Sequence, residues 1–111
     1  MAYVKDYSGR TVYRVDNGTI YDYLGRPLYR VSGSNIQDYS GRIQFVVNGD
    51  SLCDYTGRPI MRFRGNDICD YTGRTVYRIS GSDITDYTGR IIYRIDGYLS
   101  SSELAAIIAI I

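Results

Sequence analysis

Asp6-Tyr7-Ser8-Gly9-Arg10 returns five more times, as Asp22–Arg26, Asp38–Arg42, Asp54–Arg58, Asp70–Arg74 and Asp86–Arg90, always 16 residues on. A fixed period this short, over nearly the whole chain, marks one small supersecondary unit copied six times. Glycine adds a finer rhythm. Eleven of the 12 glycines keep a spacing of 8, and the exception, Gly18, stands one residue late, as though Asp16-Asn17-Gly18 made a one-residue longer turn. Turns this frequent leave about five residues between them, the length of a short strand and too little for an ordinary helix.

The two turns differ in chemistry. Asp-Tyr-x-Gly suits a type I turn, with Asp first and Gly fourth, where glycine can take the left-handed conformation of a bulge. Ser32-Gly33, Asn48-Gly49 and Ser80-Gly81 read as a second hairpin turn. The chain is therefore expected to be a meander of about 12 antiparallel strands.

Comparison of the copies separates the faces. Two residues before each motif Asp stand Val4, Ile20, Ile36, Leu52, Ile68 and Ile84. Three residues after each motif Arg stand Tyr13, Tyr29, Phe45, Met61, Tyr77 and Tyr93, and five after it Val15, Val31, Val47, Phe63, Ile79 and Ile95. By the period of two these last positions share one apolar side. The other side carries Arg14, Arg30, Arg62, Arg78 and Arg94, interrupted by Val46, together with Val12, Leu28, Gln44, Ile60, Val76 and Ile92. That side is half apolar, so it too is expected to pack, with arginine stems over neighbouring units. Two partly buried faces favour hairpins set radially, each against the next. Closure into a ring would remove the two sticky edges of an open sheet; an open solenoid is the alternative.

After Gly97 the pattern stops. A serine run precedes Glu103 and an apolar stretch, the signature of a helix start, and Leu104, Ile107, Ile108 and Ile111 form a stripe at helical spacing. Ala105, Ala106, Ala109 and Ile110 leave that helix no polar face, so it must cover something: the apolar end of its own ring, or a second copy. The fold expected is all-β, six tandem 16-residue β-hairpin repeats arranged radially with pseudo-sixfold symmetry, plus a short C-terminal α-helix. Residues 1–97 form the repeat domain and 98–111 the capping or oligomerisation helix.

The stretches Asp22-Tyr23-Leu24-Gly25-Arg26-Pro27-Leu28-Tyr29-Arg30-Val31 and Asp86-Tyr87-Thr88-Gly89-Arg90-Ile91-Ile92-Tyr93-Arg94-Ile95 resemble the repeats of the beta-flower proteins of gut-type bacteria. The resemblance implies hairpins radiating as petals around a pseudo-symmetry axis, closed by a short helix such as Tyr98–Ile111. That family is described with four or five petals, whereas six motifs occur here, and it has no established activity. A weaker likeness is to the tyrosine-aspartate repeats of large toxin shells, which Tyr21–Arg26 nearly matches. Those units are longer and come in much larger arrays.

Composition narrows the function classes. The 111 residues make one domain, and 13 Lys and Arg against 12 Asp and Glu give a net charge of +1. Strong binders of nucleic acid or anionic membranes draw on excess positive charge, so neither partner is expected. No stretch approaches the roughly 20 apolar residues of a membrane helix. Met1-Ala2-Tyr3-Val4 leads straight into the first repeat with no visible signal peptide, so the expected compartment is cytoplasmic. There is no histidine, which removes the usual general base and the usual triad, and no enzymatic activity is expected.

Six-fold repetition argues against a catalytic site, and no cofactor or metal is expected. Each motif Asp is expected to cap its own turn, with the motif Arg across the hairpin as charge partner. Glu103 fits the first turn of the helix. Cys53 and Cys69 occupy one position in adjacent repeats, where the other copies carry Lys5, Tyr21, Gln37 and Thr85. Such variety reads as an exposed position with free surface thiols. The motif tyrosines Tyr7, Tyr23, Tyr39, Tyr55, Tyr71 and Tyr87 are either packing glue between petals or platforms for sugar rings. Two functions follow. One is a non-catalytic structural or interaction module, self-associating as a homo-oligomer if Leu104, Ile107, Ile108 and Ile111 face a second copy. The other is a multivalent, lectin-like binder of carbohydrate or another small ligand.

Overall fold

The computed structural model describes residues 1–111. Twelve strands form six hairpins around the motif turns: β1 (Ala2–Asp6) with β2 (Thr11–Asp16), β3 (Thr19–Asp22) with β4 (Pro27–Ser32), β5 (Asn35–Asp38) with β6 (Ile43–Asn48), β7 (Ser51–Asp54) with β8 (Pro59–Arg64), β9 (Asp67–Asp70) with β10 (Thr75–Ser80), and β11 (Asp83–Asp86) with β12 (Ile91–Gly97). Every strand pairs antiparallel with its sequence neighbours, and β1 pairs with β12, so the sheet closes as a barrel with no free edge. The molecule is a disc with extents of 35 × 34 × 17 Å.

Closure reuses the register found inside the repeats. Ile95 lies opposite Val4 and Arg94 opposite Lys5, as Val15 lies opposite Ile20 and Arg14 opposite Tyr21. The last strand pair is thus a repeat whose connecting turn is replaced by the two ends of the chain. Gly97, at φ +111°, lies opposite Ala2, and a Cβ there would sit 2.6 Å from the Met1 carbonyl oxygen.

The strands after the first hairpin are joined by two-residue turns of one length. Four of them place glycine first, at Gly33, Gly49, Gly65 and Gly81, each with φ near +60°, as type II′ turns require. The first uses Asn17 (φ 54°) and Gly18 (φ 83°), both left-handed, which is type I′. Gly18 is late because the turn type changes, not because the turn is longer.

A β-bulge sits beside every motif turn. Val4 lies opposite Tyr13 and Lys5 opposite Thr11, so Val12 is the extra residue, and the same step recurs in all six hairpins. An extra residue shifts the alternation of faces. Val12, Ile60, Val76 and Ile92 consequently pack on the same core as Tyr13, Met61, Tyr77 and Tyr93, instead of on a neighbouring hairpin. The half-apolar character of the second face comes from this phase shift. The sheet has one apolar interior and a mostly solvated exterior, on which Cys53, Cys69 and Thr85 are covered.

That interior is a ring with one residue from each hairpin. Val4, Ile20, Ile36, Leu52, Ile68 and Ile84 are all fully buried. The helix α1 (Ser101–Ile110) completes it, with Ala105, Ala106, Ile107 and Ile108 also buried. Ser100 caps the helix, accepting from the Glu103 N–H at 3.2 Å, while the Glu103 carboxylate accepts from the Ser100 N–H at 2.9 Å. Its second oxygen accepts from the Gly18 N–H at 3.0 Å. The helix start is therefore fastened to the one turn that differs from the others.

Candidate functional site

The motif turns are nearly identical in detail. In each, the Gly N–H donates to the Asp carbonyl at 2.9–3.0 Å, and the Asp N–H donates to the Arg carbonyl at 2.8–2.9 Å. Asp Oδ1 accepts from the N–H two residues on and from the Arg N–H, as at Ser8 and Arg10 (both 3.0 Å). In five copies a Ser or Thr hydroxyl donates to the same oxygen. These donors hold the carboxyls of Asp6, Asp38, Asp54, Asp70 and Asp86 below the usual carboxylate range, the hydroxyl contributing most. Asp22 is lowered too, chiefly by the Arg26 N–H. Its turn has Leu24 where the others have a hydroxyl, and Arg26 Nε reaches Asp22 Oδ2 at 3.1 Å instead. Only Arg26 behaves as the expected charge partner; the other motif arginines meet their Asp through the backbone.

This geometry decides where the motif tyrosines go. Each is the second residue of a turn whose Asp is already occupied with backbone groups, so the ring projects from the tip. Tyr7, Tyr23, Tyr39, Tyr55, Tyr71 and Tyr87 are 71–84% exposed. None is packing glue between petals. The tyrosines that do pack are those three residues after the motif Arg. Burial raises the pKa of the Tyr13 and Tyr77 phenols, with Tyr93 adding to both and Tyr29 to Tyr13.

Three of the exposed rings stand beside grooves at equivalent places, 32 residues apart around the ring. One of about 360 Å³ includes Ile91, Arg94, Lys5 and Tyr7. Another of about 300 Å³ includes Pro27, Arg30, Gln37 and Tyr39. The third, about 470 Å³, includes Pro59, Arg62, Arg64, Cys69 and Tyr71. Each lies between the outer face of a strand and the motif turn that follows it. The sequence pattern puts Arg30, Arg62 and Arg94 on the outer face as packing stems and gives the prolines no role, so the grooves themselves do not follow from it. The available signal was Arg64, at a position where the other copies carry Asp16, Ser32, Asn48, Ser80 and Asp96.

The outer arginines differ in what they already hold. Arg14 lies over the Tyr21 ring with its Cζ 4.2 Å from the centroid. Arg78 pairs with Asp67 at 2.8 Å and Arg94 with Asp83 at 2.9 Å. Lys5 sits 3.4 Å from Asp96. Arg30, Arg62 and Arg64 have no carboxylate within ion-pair distance and are exposed.

Cys53 and Cys69 are free thiols, but they are not on the surface: 2% and 3% of each is exposed. Beside them on the paired strands stand larger side chains, Arg62 next to Cys69 and Val46 next to Cys53. The short residues at this position, Thr85 included, are buried among such neighbours, while the longer Lys5, Tyr21 and Gln37 are only partly covered. Variety there reflects side-chain length, not exposure. In the tail, Ile107 and Ile108 are turned into the barrel and Leu104 and Ile111 are half-buried. No group of His, Cys, Asp and Glu stands together as a metal site would require, and no helix is long and apolar enough to cross a membrane. Comparison with protein-family models, with the curated proteins and with solved structures returns no match to this chain.

Proposed function

We propose that this chain is a non-catalytic, multivalent binding module that presents tyrosine rings to carbohydrate. The observation that carries the proposal is the exposure of all six motif tyrosines on one rim, three of them with a groove alongside. A large aromatic ring held in water by a fixed turn gains nothing for its own fold, whereas it offers an apolar platform and a hydroxyl to a sugar ring. Each turn is fastened by its own Asp, so little conformational entropy is lost when a ligand docks. Repetition around the ring suits a polymer with repeating units, where weak sites combine by effective concentration. The six-hairpin ring also supports kinship with the bacterial beta-flower proteins, with more petals than that family is described to have. Self-association through the tail has less to draw on, because Ile107 and Ile108 already bury their surface inside the barrel.

Electrophoresis through native gels cast with different soluble polysaccharides tests the proposal. At least one polysaccharide is expected to retard the protein. Replacing Tyr7, Tyr39 and Tyr71 together with Ala should restore free migration without changing thermal stability. Free migration of the parent chain in every gel would overturn the proposal.

A further inference from the structure

The three grooves share a shape but not a charge. At Tyr7 both cations are spent, Arg94 on Asp83 and Lys5 on Asp96. At Tyr39 Arg30 is free, with Asp38 as its counterweight. At Tyr71 two arginines, Arg62 and Arg64, stand two residues apart on β8 and so on one face. Asp67, which lies directly opposite Arg64, could have neutralised it. Its carboxylate is instead 2.8 Å from Arg78 on the far side. The remaining acid of the groove, Asp70, gives one oxygen to the Thr72 N–H, the Thr72 hydroxyl and the Arg74 N–H. Two unpaired guanidinium groups thus share this largest groove with one carboxylate and an exposed ring.

Resting on the carbohydrate reading above, the geometry points to the Tyr71 groove as a site for an acidic sugar, a pyranose ring bearing a carboxylate or sulfate. The ring stacks on Tyr71, and the anionic group takes the forked N–H donors of Arg62 and Arg64. A guanidinium recognises a planar or tetrahedral oxyanion with two parallel hydrogen bonds, which a neutral sugar cannot use. Pro59 and Met61 add apolar lining to the same groove. Single-stranded nucleic acid would also match one arginine pair and one ring. It needs a cationic track continuing along the backbone, however, and the neighbouring outer arginines, Arg78 and Arg94, are neutralised by Asp67 and Asp83.

Oligosaccharides of glucuronic acid, a sulfated oligosaccharide, a neutral glucose oligosaccharide of equal length and a short oligothymidine are the probes, each titrated against the intact chain. Tyrosine fluorescence reports binding without interference, as the chain has no tryptophan. One or both acidic sugars should bind about tenfold more tightly than the neutral one, the worth of one charge-assisted hydrogen bond. The glucuronic and sulfated arms distinguish carboxylate from sulfate. Arg62→Ala with Arg64→Ala should abolish the preference, bringing acidic-sugar binding down to the level of the neutral sugar, and Arg30→Ala should reduce it less. Equal binding of acidic and neutral sugars, or a preference untouched by the arginine changes, would sink the acidic-sugar site while leaving the carbohydrate module standing. Binding of oligothymidine above all sugars would overturn it in favour of nucleic acid. Silence from every sugar would remove the module itself.

Discussion

The two ends of the barrel are made by the same twelve strands and obey different rules. At the motif end six turns repeat one hydrogen-bond pattern, each complete within its own five residues. At the other end the turns are two residues long and carry almost no side-chain bonds, and one of them, Asn17-Gly18, departs from the rest to give its N–H to Glu103. A ring of identical turns has no preferred place for a single helix. The helix follows β12, and the one turn that differs is the one to which Glu103 fastens its start. Repetition thus serves what is needed six times, the rim. The break in repetition serves what exists once, the plug.

Removing the plug gives the largest effect. A chain ending at Gly97 loses Ala105, Ala106, Ile107 and Ile108 from the core and leaves the six-residue apolar ring open to water. Single Ile to Ala changes in cores cost about 2–5 kcal/mol, against a total of about 5–15 kcal/mol for an ordinary domain. The truncated chain is expected to lose its cooperative thermal transition, and Ile107→Ala in the full chain to lower urea stability by about 3 kcal/mol. An unchanged melting temperature after truncation would make the helix a passenger and the asymmetry at Gly18 incidental.

Acid attacks the other end. Each motif Asp has a folded-state pKa below its ordinary value, through hydrogen bonds that need the ionised form. The unfolded chain therefore binds protons first as pH falls. The stabilisation is whole above about pH 4 and drains away as pH drops through the lower folded values. Melting temperature should be flat from neutral pH to about 4 and then fall steeply, with more than one proton taken up per molecule unfolded. A flat profile down to pH 2 would mean the turns hold without their carboxylates.

Much of this was legible in the sequence because repetition reports it six times. The turn positions follow from Asp and Gly, and the helix start from Ser100 and Glu103. What escaped were effects of one residue of phase. The bulge at Val12 and its equivalents turns two successive side chains toward one core, which a strict alternation assigns to opposite faces. Ring closure itself follows from the cost of two open edges, but its register, with Gly97 opposite Ala2 as in an internal pair, does not. The exposure of Tyr7 and its counterparts was within reach. An Asp that accepts from its own turn forces the next residue to the tip, so an invariant position there speaks for solvent rather than core.

The smallest effect gives the sharpest comparison within the rim itself. The second turn lacks the hydroxyl that the other five give to their Asp, and Leu24, 63% exposed, takes its place. Leu24→Thr adds that donor to a carboxylate already in position and removes an exposed apolar side chain. The melting temperature should rise by roughly 2 °C, a fraction of a hydrogen bond's usual worth in a domain of this size. Thr72→Leu, the reverse change in a standard turn, should lower it by a similar amount. The ion pair from Arg26 is the competing explanation, since it already occupies Asp22 Oδ2. Exposed pairs contribute little, so Arg26→Ala alone should matter less than Leu24→Thr. If instead Leu24→Thr does nothing until Arg26 is also replaced, the second turn has exchanged a hydroxyl for a guanidinium at equal strength. The six turns would then be equivalent in energy although not in sequence.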